Sequence, residues 1–468
     1  MTNWLDIARN GLPETGGPRK KVLVLGAGVA GMIAAAELIK RGHTPIVLEA
    51  RTRAGGRVYT MRAPFAHGLH AEAGAMRIPT THELTMHYIH KYGLELYPFT
   101  SPNPQAYYYL HGRKFRRGDL EKDFGQVRRE FPGLSAVNNI WQLWDQTVRV
   151  YVDKVKKEGD EGWKEILDTL DWLSVRAFLE LKGWTEDDIE LYGLLSNEEA
   201  EMNFSIVQVL REEILHDYAS LHQIRGGTDR LTDALFKELG PCVRLGAVVR
   251  AIGQDQDSVF VHYETQGGRF TAHADYMICT IPFAVMRHVE VLNPFSPAKQ
   301  KAIRELHYHA SGKVFLQCKR RFWEEDEGIY GGGTITDLPI RNLFYPEHGQ
   351  ETGRGVLLAS YTWETDAKRW SSLTPEARID RAVEYVSKIH PQILDECEGG
   401  ASMMWQDDPY AGGAFALFEP GQETRLFDSI IAPEGRIHFA GEHTSRLNGW
   451  IQGSIESGLR AALEINND

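Results

Sequence analysis

Gly26, Gly28 and Gly31 occur as GAGVAG, directly after the apolar run KKVLVLG and before an Ala- and Leu-rich stretch. A glycine at the first position permits a tight turn, the second lets backbone approach a pyrophosphate, and the third allows a helix to pack closely on a strand. The N-terminus of that helix offers free N–H donors and a positive dipole end to phosphates. Glu49 follows about 20 residues on, at the end of a second apolar run, where a carboxylate can accept hydrogen bonds from ribose hydroxyls. The glycines alone are equally compatible with a structural turn, but strand, glycines, helix, strand and acid in this order point to a dinucleotide. Gly26, Gly28, Ala30, Gly31, Glu49, Ala50 and Arg51 are therefore the candidate residues around it. They do not separate a nicotinamide from a flavin.

The elements that must position these groups form a βαβ unit: a buried strand over Lys20–Gly26, a helix over Val29–Lys40 closed by Gly42, and a second strand over Pro45–Ala50. From about Gly118 to Asp217 the pattern changes, with Trp141, Trp144, Val148 and Tyr151 at helical spacing, which predicts a helical insertion. Strands are expected again at Val243–Ile252, Ser258–Tyr263 and Ala274–Phe283, and in KVFLQC and VLLASYTW. A helix over Pro375–Ile389, a buried strand over Arg436–His443 and a helix over Ile451–Ile465 follow.

With 468 residues the chain exceeds the roughly 250 to 300 at which one core stops growing, so two or three domains are expected. A formal charge of −12, without a long Lys or Arg run, argues against nucleic acid as a partner. Cys242, Cys279, Cys318 and Cys397 are far apart and fit neither a zinc site nor a disulfide scaffold. They suit a reducing compartment. The first residues lack the apolar core of a signal peptide, and Val22–Ala36 is too short and glycine-rich to span a membrane, so a cytoplasmic protein is expected. His82, His87 and His90 in THELTMHYIH miss the zinc-protease spacing, which makes metal an unsupported reading.

Immediately after Glu49 comes RTRAGGR, in which Gly55 and Gly56 can bring a second turn onto the pyrophosphate and Arg57 can neutralise it. With GAGVAG, this GGR doublet and FAGEHT at Phe439–Thr444, the chain resembles the flavin amine oxidase superfamily over Lys20–Asn466. The resemblance implies FAD, with Gly441 and Glu442 at its ribityl-phosphate part, and Val249 holding the adenine edge through its backbone. It also implies that GGTDRL, Gly226–Leu231, opens a second flavin-domain segment. The implied fold class is α/β, with a Rossmann-type FAD-binding domain of the glutathione reductase and amine oxidase kind, an α+β substrate domain and a helical insertion. The FAD-binding domain is expected at 19–62, 224–304 and 425–468, the substrate domain at 1–18, 63–117 and 305–424, and the helical domain at 118–223. Ala414, in PYAGGAF, stands where the monoamine oxidases carry the cysteine that attaches the flavin, so the FAD is expected to be non-covalent.

Within the superfamily, AEAGAMRIP at Ala71–Pro79 looks like the L-amino acid oxidases. An Arg in a short loop between a glycine and a proline suits bidentate capture of a planar carboxylate better than a Lys would, a structural salt bridge being the other reading. By resemblance, Arg77 clamps the α-carboxylate of a substrate, with Tyr345, in LFYP, as a second hydrogen-bond donor. Phe415 and Trp450 match the two rings in front of the flavin, and Lys313, in SGKVFLQC, matches a lysine that reaches flavin N5 through a water. Core packing of Trp450 and a surface position for Lys313 are the alternatives. Gly74, Ala75, Met76, Arg77, Gly449, Trp450 and Ile451 complete the implied flavin contacts, Arg77, Gly449 and Trp450 also touching substrate.

The expected reaction converts an L-amino acid, O2 and water to a 2-oxo acid, ammonia and hydrogen peroxide. Small molecules are the expected partners, and the family favours dimers. Oxidation of an amine or polyamine, an amino-acid 2-monooxygenase reaction, and a flavin-binding redox sensor are the competing readings. The helical segment should shape substrate access, yet the facing of its Glu201, Arg211 and His216 cannot be read from spacing.

Overall fold

The structure, a computed structural model, describes residues 2–135 and 139–468; Met1 and residues 136–138, the latter in the expected helical domain, lie outside that description. Lys21–Leu25 (β1) and Thr44–Leu48 (β2) pair in parallel, joined by the helix Val29–Lys40 (α1). Four of the five β1 residues are buried, as a strand covered on both faces requires. Val243–Arg244 (β3), Tyr276–Cys279 (β4) and Ile437–Phe439 (β5) complete a parallel sheet in the order β3-β2-β1-β4-β5. The last helix, Ile451–Asn467 (α2), packs on α1, and Ile7, Ala8 and Leu12 from the N-terminal segment join the core around both. The two ends of the chain therefore meet behind the glycine turn.

Two expected strands are shorter than their apolar runs. The run Val243–Ile252 is divided at Gly246, whose φ of +67° turns the chain out of the parallel sheet. Val248–Gln254 then enters a separate sheet with Val259–Thr265, Gly268–Ala274 and Glu290–Val291. The run Ala274–Phe283 keeps its strand only over β4, because Pro282 has no N–H for a ladder and instead precedes a short helix.

A seven-stranded sheet stands apart from the parallel one, with Ser311–Cys318 and Gly355–Trp363 paired antiparallel near its centre. Both strands are almost wholly buried, which explains their unbroken apolar character. The insertion is helical, with helices at Ile140–Glu158, Asp160–Leu170, Val175–Leu181, Glu186–Ser196 and Ile206–Leu215. Asn139, Ser174, Thr185 and Ser205 cap four of these starts, and Trp144, Val148, Ile166, Phe178 and Leu210 build a core that the segment shares with Tyr108, Leu110 and Ile335 of the seven-stranded sheet. Among the described residues, no helix is long and apolar enough to cross a membrane.

Candidate active site

One cleft of about 1000 Å³ is lined by the glycine turn, the seven-stranded sheet and the helical segment. At its nucleotide end each glycine has a distinct job. Gly26 has φ +110°, and a Cβ there would lie 2.4 Å from Thr280 Oγ1. A Cβ on Gly31 would fall 2.1 Å from the Gly26 carbonyl oxygen, so this residue serves helix packing and does not line the cleft. A Cβ on Gly28 would meet no protein atom within 4 Å, because the cleft opens there. The buried Glu49 carboxylate accepts from Ala27 N at 2.8 Å and Arg51 N at 2.9 Å. Arg51 in turn grips Asp408 with two bonds of 2.8 and 2.6 Å. Ala30, Ala50 and Val249 complete this end.

Midway along, Gly56 brings its backbone against the Gly28 turn, and the Arg57 Nη1 donates to Glu442 Oε1 at 2.7 Å and to the Ala414 carbonyl at 3.0 Å. Glu442 Oε2 also accepts from Gly449 N at 3.0 Å and Ala416 N at 3.2 Å, which ties the FAGEHT turn to the start of α2. Gly74, Ala75, Met76, Gly441 and Ile451 face the same space. The buried Asn448 lines it with an Oδ1 that has no hydrogen-bond partner among the described residues. An open backbone cradle, a held carboxylate and a vacant acceptor fit an elongated polar cofactor such as a dinucleotide.

The far end brings together Arg77, Lys313, Phe415 and Trp450. The Arg77 guanidinium stands 5.0 Å over the Tyr218 ring. Lys313 Nζ donates to the carbonyls of Glu72 at 2.9 Å and Gly74 at 2.7 Å. Burial pushes this amine down to about 7, with Glu72 opposing the shift. Trp450 is fixed by a bond of 3.1 Å from its Nε1 to Glu212 Oε1 and by edge contacts with His82 and Tyr218. Phe415 packs against His309 and Trp363.

Tyr345 is not among these groups. Its hydroxyl is 2.7 Å from both Thr334 Oγ1 and His390 Nε2, inside the core of the seven-stranded sheet, and it does not line the cleft. The tyrosines that do line it beside Arg77 are Tyr218 and Tyr361. Of the helical residues whose facing the sequence left open, Glu201 lines the cleft, Arg211 is spent on a buried pair with Glu423, and His216 caps a helix away from it. Glu198, Gln208, Glu212 and Trp363 also line the cleft without having been singled out by any motif.

A family profile described as flavin containing amine oxidoreductase matches residues 29–466. The chain belongs to that family. Among relatives of this amine oxidoreductase, a putative L-amino-acid oxidase of Bacillus subtilis, YobN, is 38% identical, the match covering 99% of this chain and 98% of the relative. An L-amino-acid oxidase of Vipera ammodytes ammodytes is 35% identical over 99% of this chain and 96% of its own. A solved cyclohexylamine oxidase from Brevibacterium oxydans superposes with a TM-score of 0.79 at 21% identity, covering 96% of this chain and 99% of that one. A putrescine oxidase variant gives 0.80 at 19% identity, with coverage of 96% and 98%. The fold is that of the flavin amine oxidases, and the protein is an oxidoreductase that uses a flavin.

Proposed function

We propose that this protein is an FAD-dependent oxidase of free L-amino acids, with the cofactor held non-covalently. Arg77 carries the reading: its guanidinium lines the far end of the cleft and makes no salt bridge to a carboxylate among the described residues. A guanidinium in contact with Tyr218 but without a carboxylate partner suits a planar carboxylate that arrives with the substrate. The L-amino-acid oxidase relatives at 34% to 38% identity support the same substrate class.

The adenosine cradle formed by Glu49 and Val249 favours a dinucleotide flavin over a mononucleotide. Ala414 in place of an attaching cysteine, and a cleft lined by no cysteine among the described residues, favour a non-covalent cofactor. The four cysteines are free, which supports a cytoplasmic location.

A flavin held in this cleft would supply the two-electron chemistry, with O2 as the final acceptor, so that L-amino acid, O2 and water balance as 2-oxo acid, ammonia and hydrogen peroxide. Arg77 and Tyr361 fix the α-carboxylate and with it the position of the Cα–H. Phe415 and Trp450 exclude water and make a charged ammonium costly, which favours the neutral, oxidisable amine. Lys313, with two of its N–H groups on carbonyls, keeps a positive charge available where O2 is reduced.

The test is a peroxide-coupled screen of L- and D-amino acids, with the 2-oxo acid identified in the product. L-specific peroxide and keto acid are expected. Peroxide from primary amines lacking a carboxylate, or an amide with CO2 in place of keto acid, would overturn the assignment. Acid precipitation should leave the protein colourless and FAD in the supernatant.

A further inference from the structure

The helical segment closes the reacting end of the cleft with three carboxylates. Glu198 follows the helix Glu186–Ser196, Glu201 lies in the short turn after it, and Glu212 is on Ile206–Leu215. Each is held by an uncharged donor group. Tyr192 Oη donates to Glu198 Oε2 at 3.0 Å, and Trp450 Nε1 donates to Glu212 Oε1. Glu201 bonds to His309, whose imidazole burial keeps neutral down to about 3.

Two nearby guanidinium groups are already engaged: Arg211 pairs with Glu423 at 2.8 Å, and Arg341 with Glu199 at 2.8 Å, while Arg77 acts on Glu201 and Glu212 through space without a salt bridge. Among the described residues no Lys or Arg forms a salt bridge with Glu198, Glu201 or Glu212. Burial raises all three carboxyls, Glu198 to about 7, and nearby acids add to it: Glu212 acts on Glu198, both act on Glu201, and Asp217 acts on Glu212. A second feature of the same wall is independent of their charge. Gln208 is 7% exposed and lines the cleft, and its Oε1 has no hydrogen-bond partner. A buried acceptor left without a donor is destabilising unless a ligand supplies one.

We propose that this wall recognises a cationic side chain, so that the favoured substrates are basic L-amino acids whose guanidinium or ammonium group faces Glu198, Glu212 and Gln208 while Arg77 holds the α-carboxylate. The inference rests on the amino-acid reading above. The charge of Arg77 and that of the carboxylate wall set the orientation, because a reversed pose would bring carboxylate to carboxylate and cation to Arg77. Charge-assisted bonds in a water-poor pocket are about twice as strong as neutral ones, and a bound cation lets buried carboxylates remain ionised.

The flavin-loaded wild-type enzyme decides this with isosteric pairs, L-arginine against L-citrulline and L-lysine against L-norleucine. The cationic member of each pair should have the higher kcat/KM, by about 10-fold to 100-fold for one or two charge-assisted bonds. Glu198→Gln and Glu212→Gln should each shrink that ratio. The KM for L-arginine should also fall as pH rises through about 7, where Glu198 ionises, more than the KM for L-citrulline does. Equal or inverted ratios in the wild type, with peroxide still released, would overturn the cationic site and leave the oxidase reading standing. No peroxide from any L-amino acid would overturn both. The wild-type comparison stands even if a variant fails to fold.

Discussion

Arg77 and Lys313 share one end of the cleft under opposite electrostatic conditions. Burial works against the charge of Arg77, but Tyr218, Tyr361 and Glu212 more than offset it, and the guanidinium stays charged. Arg77→Ala should therefore raise the KM for L-amino acids by about 100-fold, the scale of losing two charge-assisted bonds, while the visible flavin spectrum is unchanged. Steady-state kinetics beside absorbance scans check both halves. Lys313 has been pushed down to about 7, so its amine is charged below that pH and neutral above. Flavin reoxidation by O2, followed by stopped flow, should slow as pH rises through this range. In Lys313→Met it should be slower than in the wild type below this range and lose that pH dependence. The two tyrosines give a third contrast. Tyr345→Phe should leave the KM almost unchanged but lower stability by about 1–3 kcal/mol, because Thr334 and His390 lose a buried partner. Tyr361→Phe should raise the KM with little change in Tm.

At the scale of elements, the turn between β1 and α1 separates glycines needed for packing from those needed for ligand approach. A Cβ on Gly31 would strike backbone, the Gly26 carbonyl, which no side-chain rotation can relieve. Gly31→Ala should destabilise the protein by about 1–3 kcal/mol, in the range of core overpacking, and also reduce FAD content. Gly28→Ala has no such conflict within the protein, since nothing lies within 4 Å of its Cβ. Its apo form should melt with the wild type while its FAD affinity falls. Thermal melts of both apo variants, together with flavin titrations, separate the two roles.

For the whole molecule, the cleft draws on the parallel sheet, the seven-stranded sheet and the helical segment, so cofactor binding should stabilise all of them together. FAD at 100 times its Kd should add about 2.7 kcal/mol, read as a rise in Tm over the apo protein. The nucleotide end of this cleft was legible in the sequence. Gly26, Gly28, Gly31 and Glu49 lie within one βαβ unit, where spacing dictates geometry through backbone sterics and short connections. The reacting end was legible only in part. Arg77, Lys313, Phe415 and Trp450 carried recognisable motifs, but the choice between Tyr345 and Tyr361 depends on strand facing. A register shift between Asn342 and Phe344 where they pair with Gly355–Trp363 breaks simple alternation, and a one-residue slip is enough to turn a side chain to the other face. Glu198, Glu201, Gln208 and Glu212 sit in the turn after one helix and on the next, in the insertion 118–223, and acquire common meaning only when that insertion docks over the flavin cleft. Local order along the chain thus pointed to the cofactor class, while long-range packing selected the groups that line the far end of the cleft.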